Sequence, residues 1–113
     1  MAMGDDSMET PPLQPLRIPA GWLVTYNDFR EADPSPRAID AGWLREDLLQ
    51  IKRPEAGILV DVGWCGDAGS GGFALFAFEG DFHGTQLHEF RSRDRLAVVA
   101  ELERLLDAPG RTA

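Results

Sequence analysis

Cysteine is almost absent from this chain of 113 residues, in which Cys65 is the single one. One thiol excludes an internal disulfide, whereas a small secreted domain usually carries an even set of cysteines. No apolar run approaches the roughly 18 residues that a membrane span needs. The first ten residues hold acids where a signal peptide needs positive charge. These absences together predict a cytoplasmic protein.

Lysine and arginine are missing from a long central stretch of the sequence. Residues 54–90 contain neither, although they contain six acids: Glu55, Asp61, Asp67, Glu79, Asp81 and Glu89. The formal net charge of the chain is −8, and its acidity is concentrated in this stretch and near the N-terminus. A field of that sign repels phosphate backbones, so we expect no direct binding to nucleic acid.

The length allows one domain and a tail. A hydrophobic content of 43% is ordinary for a globular chain. Residues 1–16 are acidic and rich in proline, which predicts a disordered tail. Residues 17–108 then form one domain, and residues 109–113 form a flexible C-terminus.

The first half of the domain predicts one strand and one helix. Residues 22–27 are β-branched and aromatic, which favours a strand. Prolines block regular structure over residues 31–37. Asp40 then suits the N-cap of a helix over 41–52, which Pro54 ends. The apolar stripe of that helix is Leu44, Leu48 and Ile51.

The second half predicts three strands and a helix. Residues 58–65 alternate with period two, so Ile58, Val60, Val62 and Trp64 face the core. A glycine-rich hairpin loop, 66–72, leads to a strand over 73–78 that is apolar on both faces, which predicts packing on each side. A fourth strand covers 86–90. The last helix spans 94–107, with Ser92 as N-cap and a stripe of Leu96, Val99, Leu102 and Leu106.

This order, β-α-β-β-β-α, predicts a single α+β domain. The three later strands have short connections, so we expect them to form an antiparallel meander. The two helices should pack on the sheet and cover one of its faces.

Catalytic groups are few in this sequence. Cys65 with His83 or His88 would make a thiolate–imidazole pair, but free cysteine is more often a small buried residue. Asp81, His83 and His88 match no metal-ligand spacing, and we expect neither a metal nor a cofactor. The glycine-rich loop lacks the Lys-Ser or Lys-Thr and the helix of a phosphate loop. Asp61 and Glu79 are a candidate carboxylate pair for acid–base chemistry, but carboxylates on the solvent face are the usual explanation and also fit a binding role.

The acids themselves predict a protein-binding face. Aromatic side chains among carboxylates suit a basic protein partner, because aromatics supply desolvated anchors and acids supply steering. The alternative is that Trp64 belongs to the core and the acids only keep the surface soluble. Acids without interspersed bases, however, carry a repulsive cost. The predicted partner-binding residues are Asp61, Trp64, Asp67, Glu79, Asp81, Phe82, His83 and Glu89.

Three runs carry a family resemblance: IPAGWLVTYNDF at 18–29, LVDVGW at 59–64, and LHEFRSRD at 87–94 before an amphipathic helix. They resemble the small immunity proteins of bacterial contact-dependent and polymorphic toxin systems, over most of residues 18–107. The resemblance implies a single-domain cytosolic protein that binds and neutralises one cognate toxin, often a nuclease. It also implies no enzymatic activity and no cofactor.

Three functional hypotheses follow from the sequence. The first is an immunity-type inhibitor that uses an acidic and aromatic face built from residues 59–89. The second is a structural or regulatory domain that associates with itself through a sheet edge or through the last helix. The third is a small enzyme that uses Asp61, Glu79 or His83.

Overall fold

A five-stranded antiparallel sheet is the frame of the domain in the computed structural model, which describes residues 10–107. The strands run as a meander in the order β1-β2-β3-β4-β5, and each pairs only with its neighbours along the chain. The α+β class is therefore confirmed, with one strand more than the sequence pattern predicts. The elements are β1 Leu23–Asn27, α1 Pro36–Asp40, β2 Leu49–Arg53, β3 Ile58–Cys65, β4 Gly72–Glu79, β5 Gln86–Ser92 and α2 Arg95–Asp107.

The additional strand is β2, which takes up the last part of the predicted helix over 41–52, while residues 41–48 form turns and a loop, so that helix is wrong. Residues 49–53 alternate between buried and more exposed positions, which is the period of a strand. Leu44, Leu48 and Ile51 are buried as expected, but from a loop and a strand. Their spacing satisfies a helical stripe by coincidence, and tertiary pairing with β1 and β3 overrides that local pattern.

The short helix α1 lies earlier than expected and begins within the stretch where the prolines predict no regular structure. Pro36 occupies the first turn, where a missing N–H and a fixed φ are favourable. The Ser35 hydroxyl caps the helix by accepting a hydrogen bond from the Ala38 N–H at 3.0 Å. Gly42, with φ of +81°, lies just beyond its end.

Both helices pack on the same face of the sheet, as predicted, and we call this the helix face. Ala38 of α1 and Val98, Leu102 and Leu106 of α2 join one buried cluster with the inward side chains of the strands. The inward residues of β3 are those that the alternation predicts, since Val60, Val62 and Trp64 are buried there.

The predicted stripe and cap of α2 need two corrections. Leu96 is 59% exposed and does not face the sheet, whereas Val98 is fully buried. The cap is Asp94, whose carboxylate accepts the Leu96 N–H at 3.0 Å. Ser92 instead accepts the Asp94 N–H at 3.0 Å, one step before the helix. Among residues 10–107, no helix combines the length and apolar character needed to cross a membrane.

Residues 10–16, which the sequence pattern assigns to the tail, lie against the domain. Leu13 forms an isolated bridge with Arg30. Gln14 is 8% exposed, and its N–H donates to the Phe29 carbonyl at 2.8 Å. The predictions for residues 1–9 and 109–113 lie outside the described residues.

Candidate protein-binding face

The face of the sheet opposite the helices is the candidate site, and we call it the open face. In an antiparallel sheet, directly paired residues project to the same side. Asp61 pairs with Gln50 on β2 and with Phe76 on β4. The same row extends to the two edge strands. Its members are Tyr26, Gln50, Asp61, Phe76 and Glu89.

An aromatic cluster of Phe76, Phe78 and Phe82 occupies the open face. The rings of Phe76 and Phe78 stack with centroids 5.9 Å apart, and Phe82 meets Phe78 edge-on at 5.8 Å. Phe82 belongs to the turn between β4 and β5, and its side chain is 48% exposed. The expected packing on both sides of β4 is therefore incomplete. On the open face Phe82 of this turn packs against Phe78, but neither helix of residues 10–107 covers the strand there.

Asp61 lies at the centre of this face as a half-buried carboxylate. Its burial, and secondly the negative charge of Asp47, raise the pKa of the Asp61 carboxyl to about 6. Within residues 10–107, no side chain forms an ion pair with Asp61. A desolvated carboxylate without a cation beside it is a feature of functional sites, because it costs stability.

Asp47 reaches Asp61 because the chain bulges before β2. The Trp64 N–H donates to the Arg45 carbonyl at 2.8 Å, and the Leu48 N–H donates to the Val62 carbonyl at 3.0 Å. The two residues between Arg45 and Leu48 therefore loop out over Gly63. A Cβ at Gly63 would lie 1.8 Å from the Glu46 carbonyl oxygen, so only glycine permits this bulge.

A groove of about 420 Å³ opens on this face between β1 and the Phe82 turn. Tyr26 and Phe82 contribute aromatic rings, while Asp47 and Gln50 contribute polar groups. Arg45 also lines the groove, and its guanidinium forms an ion pair with Asp28 at 2.5 Å. The same guanidinium donates a hydrogen bond to the Tyr26 hydroxyl. We call this feature the Tyr26–Phe82 groove.

Residues 54–90 contain no Lys or Arg, but in the folded structure an arginine from outside this stretch lies beside them. Arg91, just beyond it, donates to the Glu89 carboxylate at 2.6 Å and lowers the pKa of that carboxyl. The Arg91 guanidinium also lies over the Phe76 ring, 5.4 Å from its centroid. Glu89 is thus on the open face as predicted, but its charge is already compensated.

Trp64 and Asp67 lie away from the aromatic cluster, near the hairpin loop that joins the end of β3 to the start of β4. Trp64 is 2% exposed and packs edge-on against Phe73 with centroids 5.1 Å apart. It therefore belongs to the core, which was the alternative interpretation. The Asp67 carboxylate closes the glycine-rich hairpin loop by accepting the Ser70 N–H at 2.7 Å, and these bonds lower its pKa.

The predicted residues of the β4–β5 turn surround Phe82. Asp81 and His83 are exposed on either side of it, and the Asp81 carboxylate accepts the His83 N–H at 2.8 Å. Glu79 follows Phe78 at the end of β4, so strand alternation directs its side chain away from the open face. The structure thus brings Asp61, Phe82 and Glu89 to one face, with Asp81 and His83 at its margin.

The residues of the other candidate sites, which are the thiolate–imidazole pair, the metal site and the carboxylate pair, do not come together in this structure. Cys65 ends β3 at the opposite end of the sheet from the turn that holds His83. The His88 ring lies on the helix face, where its Nε2 is 2.6 Å from a carboxylate oxygen of Glu101. Asp61 and Glu79 project to opposite faces. In the described part of the chain, no group of three His, Cys, Asp or Glu side chains is placed to hold a metal ion.

Tyr26, Asp47, Phe76 and Phe78 are the members of this face that the sequence pattern does not single out. The alternation of residues 73–78 contained the signal for Phe76 and Phe78, since they form the face opposite Phe73 and Leu75. Comparison with protein-family models, with curated protein sequences and with solved structures found no match to this chain.

Proposed function

We propose that this protein is an immunity-type inhibitor that binds a basic toxin domain through the open face and neutralises it. One observation carries the proposal. The face that both helices leave uncovered holds an aromatic cluster beside a half-buried carboxylate, Asp61, with no cation paired to it. The family resemblance of residues 18–107 supports the same function.

The composition of the open face suits protein recognition. Interface hot spots are aromatic or charged side chains in a largely desolvated centre, surrounded by polar groups. Phe76 and Phe78 are half-buried and Phe82 is exposed, so the cluster offers apolar area without further unfolding. An apolar patch rimmed by polar residues on a soluble domain marks an interaction site.

Charge defines the kind of partner. The net charge of −8 steers a basic protein towards this chain and raises the association rate. A toxin that cleaves nucleic acid needs a positive cleft for its substrate, and an acidic face is complementary to that cleft. In this proposal the protein acts in the cytoplasm, has no catalytic activity of its own and needs no cofactor.

Co-expression with a toxin domain encoded next to this gene tests the proposal. We expect the full chain to restore growth to cells that produce the toxin and to co-purify with it in a 1:1 complex. Failure of both rescue and complex formation, with the chain folded, would remove the inhibitor function.

A second candidate is self-association through the β1 edge. Leu23, Val24 and Tyr26 are exposed there at 56%, 40% and 41%, and β1 contains none of the charged residues or prolines that usually protect an edge strand. Light scattering after size exclusion distinguishes the candidates, because a dimer at micromolar concentration favours this one and a monomer favours the inhibitor.

A further inference from the structure

The walls of the Tyr26–Phe82 groove are suited to a cation. Tyr26 is 41% exposed and Phe82 is 48% exposed, so both rings are available to a ligand. Aromatic faces attract Lys and Arg side chains through the ring quadrupole, most strongly where water is partly excluded. In a protein complex such a groove also buries the aliphatic part of the incoming side chain.

Negative charge without an internal counter-ion lies beside these walls. Asp47 lines the groove, and Asp61 neighbours Gln50 in the same row of the sheet. Asp28 and Glu89, the other acids of this region, are each bonded to an arginine at 2.5 and 2.6 Å. Among residues 10–107, neither Asp47 nor Asp61 has such a partner.

The basic residues around the groove leave this negative charge in place. The Arg45 guanidinium is held by Asp28, which also binds Arg30, and by the Tyr26 hydroxyl, and it forms no ion pair with Asp47 or Asp61. Arg91 is bound to Glu89 on the far side of Phe76. Lys52 projects from the next row of the open face, opposite Leu59, and is exposed to solvent.

We infer that the Tyr26–Phe82 groove receives one lysine or arginine side chain of the partner, which lies between the two rings with its charge against Asp47 and Asp61. This inference rests on the proposed function, since it identifies what the open face recognises. A groove of about 420 Å³ is within the size range of protein sites that hold a small ligand, and one long side chain fits it.

A bound cation also links recognition to protonation. The cation favours the charged form of Asp61, so binding lowers the pKa of that carboxyl and, reciprocally, its protonation weakens binding. Asp47 adds negative charge beside Asp61. The other charged groups of this face are Lys52, one row away on β2, and the Glu89–Arg91 pair on β5. Because burial and Asp47 raise the pKa of the Asp61 carboxyl to about 6, we expect affinity for a cation to decrease between pH 7.5 and 5.

The test uses N-acetyl-arginine amide as the probe and N-acetyl-norleucine amide as its uncharged control. Resonances of Tyr26, Gln50 and Phe82 are followed by NMR during titration of the full chain. We expect the arginine probe to shift them, with an apparent Kd on the order of 1 to 10 mM, and norleucine to leave them unchanged. Asp47→Asn/Asp61→Asn should weaken binding at least about tenfold, since each charge-assisted contact contributes appreciably.

Glu31→Gln is the matched control, because it removes one carboxylate from an exposed position outside the open face. It should leave the arginine titration unchanged, and Asp61→Asn should remove most of its dependence on pH between 7.5 and 5. Equal shifts with norleucine, or full binding by the double variant in a folded state, would overturn the inference.

The toxin domain separates this inference from the proposed function. If toxin binding is strong and the double variant binds the toxin as well as the parent does, the inference is wrong and the inhibitor function stands. If the chain binds the arginine probe but neither binds nor neutralises the toxin, the inhibitor function is wrong and the cation groove stands.

Discussion

Asp61 and Asp47 lie near each other on the open face, although one is in the middle of β3 and the other is in the bulge before β2. Burial first, and the charge of Asp47 second, raise the pKa of the Asp61 carboxyl to about 6. The fold therefore holds a carboxylate where its charged form is disfavoured. In the proposed function, a partner that supplies the missing cation accounts for a residue that costs stability in this way.

Asp61→Asn should stabilise the isolated protein at neutral pH. A carboxyl pKa raised from 3.8 to about 6 corresponds to about 3 kcal/mol in a dry site, and partial exposure reduces this to about 1–2 kcal/mol. The penalty is full above pH 6, decreases as pH falls and vanishes below 3.8, because both states are then protonated. Urea unfolding at pH 7.5 and pH 4 measures the difference.

Glu31→Gln is a control for this measurement, because it removes one carboxylate from an exposed position outside the open face. It should change the free energy of unfolding by less than about 0.5 kcal/mol at either pH. No gain from Asp61→Asn at pH 7.5, or an equal gain at both pH values, would contradict the assigned burial of this carboxyl.

Gly63→Ala should destabilise the fold strongly. The added methyl group would lie 1.8 Å from the Glu46 carbonyl oxygen, so the bulge that positions Asp47 must move. We expect a loss of about 3 kcal/mol or more in the free energy of unfolding, from overpacking against backbone. Thermal or urea unfolding checks this result.

The matched control is Gly69→Ala in the hairpin loop, where the nearest atom to a new Cβ is 3.8 Å away. This ordinary contact should make the substitution nearly neutral. Equal stability of the two variants would show that the bulge over Gly63 is not formed in solution.

Leu102 and Leu96 of α2 should respond very differently to truncation. Leu102 is fully buried, whereas Leu96 is 59% exposed. Leu102→Ala should cost about 2–5 kcal/mol through lost burial and cavity formation, and Leu96→Ala should cost less than about 0.5 kcal/mol. Chemical denaturation of both variants tests which side of α2 packs on the sheet, and similar losses would mean that the helix is rotated.

Salt should slow association with the toxin more than it accelerates dissociation. The net charge of −8 steers a basic partner over long range, and this attraction is screened within about a Debye length. Between 50 and 500 mM NaCl we expect roughly a tenfold decrease in the association rate constant and a smaller change in the dissociation rate constant. Stopped-flow mixing measures the first, and a rate independent of salt would exclude electrostatic steering.

Alternating patterns in the sequence predict the strands well. In β3 the side chains of Val60, Val62 and Trp64 face the core as period two predicts, although Leu59 and Gly63 on the open face are buried as well. The predicted helix over 41–52 is wrong, because its apolar spacing is misleading. Leu44, Leu48 and Ile51 fit a helical stripe, yet residues 49–53 form a strand that pairs with both β1 and β3.

The candidate site is only partly predictable, since distant segments assemble it. Asp61 and Phe82 belong to the acidic and aromatic stretch that the sequence singles out. Asp47 does not, because its position depends on a bulge that requires Gly63 on another strand. Arg91 compensates Glu89 from outside the base-free stretch, and charge counted along the sequence does not include such a neighbour in space.

The role of the open face is tested most directly by comparing Phe82→Ala with Leu96→Ala in calorimetric titrations against the toxin domain. Both side chains are apolar and exposed, at 48% and 59%, but Phe82 belongs to the open face and Leu96 to α2. We predict that Phe82→Ala weakens the 1:1 affinity at least about tenfold, as for an aromatic hot spot, and that Leu96→Ala leaves it unchanged. Unchanged affinity of Phe82→Ala, with a loss for Leu96→Ala, would contradict recognition through the open face.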